Sequence, residues 1–175
     1  MQKNVFIISG PAGVGKSTTA IKLAKVLSNS AYISGDYISH MHINGRQKPW
    51  LSEEENTLIW KNILSLTKNF INSGCDVVID YVTFPNEVRW LKEGLKEEDI
   101  CLKYIVLWTD IETLIERDNL RKPEHRMGER CLVLMDEYRD SSIEEKQFLD
   151  TSKVLIEEMD LVLNNIISSD KYKVN

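Results

Sequence analysis

Three cysteines are too few and too scattered to organise this chain: Cys75, Cys101 and Cys131 show no C-x-x-C spacing and no neighbouring histidine pair, so neither a disulfide framework nor a zinc site is expected. Long hydrophobic runs are missing too, since none approaches the roughly 18 residues of a membrane span, and no membrane partner is expected. There is no surplus of positive charge. A net charge of −5 argues against a large nucleic-acid footprint, which usually wants a basic face, and no nucleic-acid partner is expected. The 175 residues contain no internal repeat, low-complexity tract or linker, and they are too few for two ordinary domains. One domain over 1–175 is the expectation. Residues 1–9 place a single lysine before a short apolar run that leads straight into a glycine-rich loop, which reads as a core strand and not a signal peptide. The expected location is therefore the cytoplasm, as a monomer or homodimer.

What the chain does contain is Gly10-Pro11-Ala12-Gly13-Val14-Gly15-Lys16-Ser17, a complete G-x-x-x-x-G-K-[ST] motif. It follows the apolar segment Val5–Ser9, of buried-strand type, and precedes Ala20, Leu23, Ala24 and Leu27 at helical spacing. The motif needs that strand-to-helix setting, because glycines let backbone N–H groups close around phosphate oxygens while the helix start adds the positive end of its dipole. The phosphate site is read as Gly10, Pro11, Ala12, Gly13, Val14, Gly15, Lys16, Ser17 and Thr18. Lys16 is expected at the β- and γ-phosphates of ATP, as a catalytic cation, and the Ser17 hydroxyl at Mg²⁺.

Further along, Ala31–Ser34 reads as a second strand delivering Gly35-Asp36 at its carboxyl end, and residues 37–50 as a short helix followed by a loop. Ser52 and Glu55 form a capping box opening a helix with Leu58, Ile59, Ile63, Leu66 and Phe70 on one face, ended by Gly74. Asp76–Asp80 is a third strand, residues 86–94 a short helix, Leu102–Trp108 a fourth strand, and Asp110 the cap of a helix carrying Ile111, Leu114 and Ile115. Gln147–Asp150 is a short fifth strand. Ile156, Met159, Leu163, Ile166 and Ile167 face the last helix toward the core, and the polar tail from Ser168 is expected to fray. Strands alternating with helices imply an α/β fold with a parallel sheet covered on both faces.

Phosphoryl transfer asks the protein for donors, cations and metal ligands. Asp80, at the end of a strand, is placed to hold a Mg²⁺ water, and Asp36 to accept the proton of an acceptor hydroxyl. The alternatives, a helix-capping acid and an ordinary turn aspartate, stay open at this point. Five of the seven arginines fall between Arg117 and Arg139, around Pro123 and Gly128. Forked planar donors suit phosphate, so 117–139 reads as an arginine-rich lid: Arg121, Arg126 and Arg130 over ATP, Arg126 in a catalytic role, Arg117 near the base. His40, His42 and His125 lack metal-ligand spacing and read as surface or substrate-loop residues. Asp36, Arg46, Trp50, Tyr81 and Arg89 form the candidate acceptor site, with cations for a carboxylate or phosphate and aromatics for a sugar or ring face.

The phosphate loop, the Gly35-Asp36 and Asp80 strand ends and the Arg117–Arg126 segment together resemble the small P-loop kinases of the gluconate, shikimate and chloramphenicol phosphotransferase type. Gly35-Asp36, Asn44-Gly45 and Pro49-Trp50-Leu51 are similar to the acceptor loop of gluconate kinases. The resemblance implies a three-layer P-loop NTPase fold with a five-stranded sheet in the order 2-3-1-4-5, a lid helix pair after strand 4, and Asp150-Thr151-Ser152 near the adenine. It also implies a kinase that moves the γ-phosphate of Mg-ATP to a hydroxyl of a small molecule, such as a sugar acid or an antibiotic. A nucleoside or nucleotide kinase, or an ATPase switch without an acceptor, is the alternative.

Overall fold

A computed structural model describes residues 2–123 and 126–174 of the chain. Five parallel strands form one sheet in the order β2-β3-β1-β4-β5, as expected: β1 Lys3–Ser9, β2 Ser30–Ser34, β3 Asp76–Asp80, β4 Ile100–Trp108 and β5 Phe148–Asp150. Strands covered on both faces read as unbroken apolar runs, and Val5 to Ile8 and Val77 to Ile79 are all but sealed from solvent. The helices are α1 Lys16–Val26, α2 Gly35–Met41, α3 Glu53–Asn72, α4 Pro85–Gly94, α5 Ile111–Asn119, α6 Glu129–Asp140 and α7 Met159–Ser168. They cover both faces of the sheet, with α1 against α7 and α3 against α4.

β1 lies between β3 and β4, so the loop that leaves its carboxyl end opens at the middle of the sheet. Ile8 of β1 is opposite Asp80 of β3, and Asp80 is opposite Ser34 of β2. Three strand ends thus bring the phosphate loop, Asp80 and the Ser34-Gly35-Asp36 turn to one edge. Crevices at the carboxyl ends of strands are where open α/β sheets bind ligands.

Two local expectations change. Ser52 does cap α3, its hydroxyl accepting from Glu55 N at 3.2 Å, but the Glu55 side chain does not return to complete a box. It accepts instead from His42 Nδ1 at 2.9 Å and Gln47 N at 3.2 Å, tying the loop after α2 to the start of α3. The tail does not fray either. After a turn at Asp170–Tyr172, Tyr172 is wholly buried with its hydroxyl on Asn165 Oδ1 at 3.0 Å, and Val174 N donates to Leu102 O at 3.0 Å. β5 pairs only with Val106 to Trp108, so the tail, bridged antiparallel at Lys103 and Lys173, takes the amino-terminal part of the same β4 edge. Lys103 Nζ, buried over the Phe6 ring, donates to Ile166 O and Ile167 O at the carboxyl end of α7, where a cation suits the helix dipole.

Candidate active site

Residues 10–15 can follow their path because of glycine. Gly10 has φ +133°, and a Cβ there would stand 2.4 Å from Leu107 O, so the loop crosses β4 too closely for any side chain. Gly15, at φ +104°, begins α1 with open space where a Cβ would project. The amides of Lys16, Ser17 and Thr18 have no acceptor among the described residues, as expected of the first turn of a helix. Ser17 and Thr18 are exposed beside them. Lys16 folds back over the loop, Nζ donating to Gly10 O at 3.0 Å and Pro11 O at 2.9 Å. Burial lowers its ammonium below the ordinary lysine value, while Asp80 and then Asp36 pull it back up.

The loop is gripped from beneath. Tyr138, a fully buried residue of α6, accepts from Gly10 N at 3.1 Å and Thr83 N at 3.2 Å, which leaves its proton for Ser9 Oγ at 2.7 Å. Ser9 Oγ in turn donates to Thr83 O at 3.1 Å, and Tyr104 donates to the same carbonyl at 2.7 Å. Burial pushes the Tyr138 phenol up to about 12, so it stays a neutral donor. Phe84 stacks on the Tyr138 ring at 4.6 Å.

Asp36 sits in the first turn of α2, which begins directly at Gly35 under a cap from Ser34 Oγ to Tyr37 N. A Cβ on Gly35 would lie 2.3 Å from the Tyr81 ring, so the strand-to-helix corner and Tyr81 fit only with glycine here. The Asp36 carboxylate is open to the cleft and has no hydrogen-bond partner among the described residues. Crowding by the protein pushes it above the ordinary carboxylate value, against the pull of Lys16; Asp80 adds to the rise. Asp80 is buried, and its Oδ2 accepts from Tyr32 of β2 at 2.8 Å.

Arg46 is anchored by Nε to Ser39 O at 3.0 Å and Ser39 Oγ at 2.9 Å, and its two terminal nitrogens are without partners among the described residues. Its charge is felt by Asp36, Glu55 and Tyr81. Trp50 is half exposed, with Lys48 Nζ 5.7 Å and the Arg130 guanidinium 5.6 Å from its ring. The candidate acceptor residues therefore part company. Asp36, Arg46 and Tyr81 lie within electrostatic reach of one another, although the Tyr81 ring is packed against Trp60 and Gly35 as core. Trp50 forms a rim. Arg89 does not join them: it bonds Asn86 and lines a separate cavity of about 450 Å³ with Lys92, Lys96 and Val174.

The arginine-rich segment also divides. Arg117 links the phosphate loop to the strand β5 exit, through Val14 O at 3.2 Å and Thr151 O at 3.0 Å. Arg121 lies 3.6 Å from Asp118 and close enough to lower Lys16 further. Arg126 Nε donates to Arg121 O. Arg130 and Arg139, in contrast, pair with Glu137 at 2.7 Å and Asp136 at 3.4 Å of their own helix. The turn between α5 and α6 is set by Asp118, buried, which accepts from Met127 N and Gly128 N. His125 lies outside the described residues. Sequence reasoning passed over Tyr138, Tyr32 and Asp118. The only hint was a polar group at a position whose helical or strand neighbours are apolar.

The donor set fits a nucleoside triphosphate with its metal: free helix amides, Lys16, the Ser17 hydroxyl, and one unpartnered oxygen of Asp80. Among the described residues no cluster of three His, Cys, Asp or Glu side chains stands ready to hold a metal alone, so phosphate oxygens and water would supply the remaining ligands. No helix among the described residues is long and apolar enough to cross a membrane.

Comparison with known proteins agrees with this geometry. The family model described as AAA domain matches residues 5–137. No curated protein matches the sequence. Among solved structures, the chain is similar to a sugar kinase from Janibacter sp. HTCC2649, with 13% identity, 98% of this chain and 97% of that chain covered, and a TM-score of 0.72. It is similar to the APS kinase of Mycobacterium tuberculosis in complex with AMPPNP and APS, with 14% identity, 96% and 99% covered, and a TM-score of 0.67. A gluconokinase from Sinorhizobium meliloti 1021 follows at 16% identity, 94% and 95% covered, and a TM-score of 0.61. At such identities the likeness is one of fold, and the fold is that of the small P-loop kinases.

Proposed function

Since the chain belongs to the AAA domain family through residues 5–137, we propose that it is an ATP-dependent phosphotransferase acting on a hydroxyl of a small molecule. The observation that carries this reading is Asp36: a carboxylate with no hydrogen-bond partner among the described residues, pushed toward a higher proton affinity, and within electrostatic reach of Lys16 across the end of β3.

In this reading the free amides of Lys16, Ser17 and Thr18 and the Lys16 ammonium hold the triphosphate, and Ser17 by its hydroxyl and Asp80 through water would hold Mg²⁺. A bound Mg²⁺ would supply charge neutralisation for the transferring phosphate. Asp36 takes the proton as the acceptor oxygen forms its bond to the γ-phosphorus and the bond to the β–γ bridging oxygen breaks, releasing ADP. Arg46 offers its two free terminal nitrogens to an anionic group on the acceptor, such as the carboxylate of a sugar acid. Arg121 and Arg126, carried by the turn after α5, close over the phosphates, and Arg117 sits toward the base.

The test is transfer of label from γ-labelled ATP to a pooled panel of sugar acids, shikimate, aminoglycosides, chloramphenicol, nucleosides and a 5′-hydroxyl oligonucleotide. A labelled small-molecule product is expected. Asp36→Asn should lower transfer by about 10²- to 10⁴-fold, the usual range for a proton acceptor, while sparing slow ATP hydrolysis. Label in a nucleoside would establish the alternative kinase reading, and hydrolysis with no labelled product the switch reading.

A further inference from the structure

Asp80 and Asp36 flank the same lysine, yet the chain treats them differently. Asp36 is left without a donor among the described residues. Asp80 receives one from Tyr32, 48 residues away in sequence, at 2.8 Å. Tyr32 is on β2, the edge strand, two residues before Ser34, which is opposite Asp80 in the parallel register; Tyr32 and Ser34 therefore share a face, and the phenol reaches diagonally to the strand end. Ser34 Oγ is occupied as the α2 cap. Among the described residues, no other group donates to Asp80.

A buried carboxylate without a donor is costly, and it turns to whatever cation is within reach. Here that cation is Lys16, whose charge Asp80 already raises more than any other acid does. No Lys16–Asp80 ion pair forms within 4 Å among the described residues, and Lys16 Nζ spends its hydrogens on Gly10 O and Pro11 O. The Tyr32 bond pins Oδ2 on the β2 side and leaves Oδ1 with no partner among the described residues. Phenylalanine would fill the same space without that bond.

We propose that Tyr32 is a positioning residue which fixes the Asp80 carboxylate and keeps one of its oxygens for the water shell of the bound metal. The proposal rests on the nucleotide-binding reading given above. It assigns metal placement to Asp80 together with Tyr32, and leaves Asp36 as the unencumbered acid of the site.

Binding of AMPPNP, followed by calorimetry with Mg²⁺ and again with EDTA, separates the roles without turnover. The wild-type chain is expected to bind more tightly with Mg²⁺. Tyr32→Phe should bind within about twofold of wild type in EDTA but lose about tenfold of the Mg²⁺-dependent gain, as removal of a group behind a metal ligand commonly does. In an Asp80→Asn background Tyr32→Phe should change nothing further, because its effect passes through that carboxylate. An intact Mg²⁺ gain in Tyr32→Phe, or equal weakening with and without Mg²⁺, overturns the proposal and makes Tyr32 a packing residue. If wild type binds no AMPPNP under either condition, the nucleotide reading itself fails and takes this inference with it.

Discussion

Beneath the phosphate loop, the hydroxyls of Ser9, Tyr104 and Tyr138 converge on the backbone N–H and C=O of Thr83 among buried side chains. Across the loop, α2 and the residues after it expose Tyr37, Met41, Ile43 and Leu51, each at least 71% open to solvent. Few bonds hold that rim: the Glu55 carboxylate gathers His42 and Gln47, and Arg46 hangs from Ser39. The contrast matches two chemical demands. Charge that develops on phosphate oxygens is stabilised by donors already fixed in place, whereas an acceptor can be gripped by a surface that adjusts to it.

Substitution in the two regions should therefore have very different costs. Gly10→Ala is expected to be the most damaging, by about 3 kcal/mol in urea unfolding: a strained positive φ costs roughly 1–3 kcal/mol and a Cβ driven into Leu107 O adds overpacking of similar size. Tyr138→Phe should follow at about 2 kcal/mol, because the buried Gly10 N–H loses its acceptor, and ATP affinity should fall with stability. A Tyr138→Phe protein as stable as wild type would remove the distinction between foot and rim.

Asp118 tests the turn between α5 and α6. Burial pushes its carboxyl up, but the Gly128 and Met127 amides and Arg121 together outweigh that and set it below the ordinary 3.8. The folded form thus holds the proton less readily than the unfolded form. Its stabilisation is complete above about pH 4 and is lost as pH falls through the lower folded value. Asp118→Asn should melt earlier at pH 7, by the equivalent of about 1–2 kcal/mol, and the gap to wild type should narrow as melts are repeated toward pH 3. A gap independent of pH would mean that shape and not charge sets the turn. The smallest effect is expected at the rim: Trp50→Ala should change stability by no more than about 0.5 kcal/mol, while raising the KM for the acceptor more than that for ATP.

The foot and the rim also differ in how far they could be read in advance. The five strands and the phosphate loop were legible because buried parallel strands leave apolar runs and the loop has fixed spacing, whereas the strand order came only with the resemblance to small P-loop kinases. Asp36 was placed at a strand end, and the structure puts it a residue into a helix, since no loop separates β2 from α2. Composition singled out the arginines from 117 to 139, but it does not distinguish one whose charge reaches Lys16, as that of Arg121 does, from one paired within its own helix, as Arg130 is with Glu137. Glu55 looked like half of a capping box; its other use depends on where His42 arrives, which is a matter of tertiary packing. Tyr138 and Tyr32 bond to residues far away in sequence, so nothing local marks them.

The docking of residues 170–174 against β4 has a consequence for biosynthesis. β4 can pair with β1 as soon as both have left the ribosome, but the amino-terminal part of its other edge stays bare until Val174 emerges to meet Leu102. At translation rates of roughly 5–20 residues per second that interval lasts several seconds, with N–H and C=O groups open to a neighbouring nascent chain. Timing, and not only final stability, therefore bears on how much of this protein a cell recovers in usable form, and a chain lacking residues 170–174 would keep that edge bare.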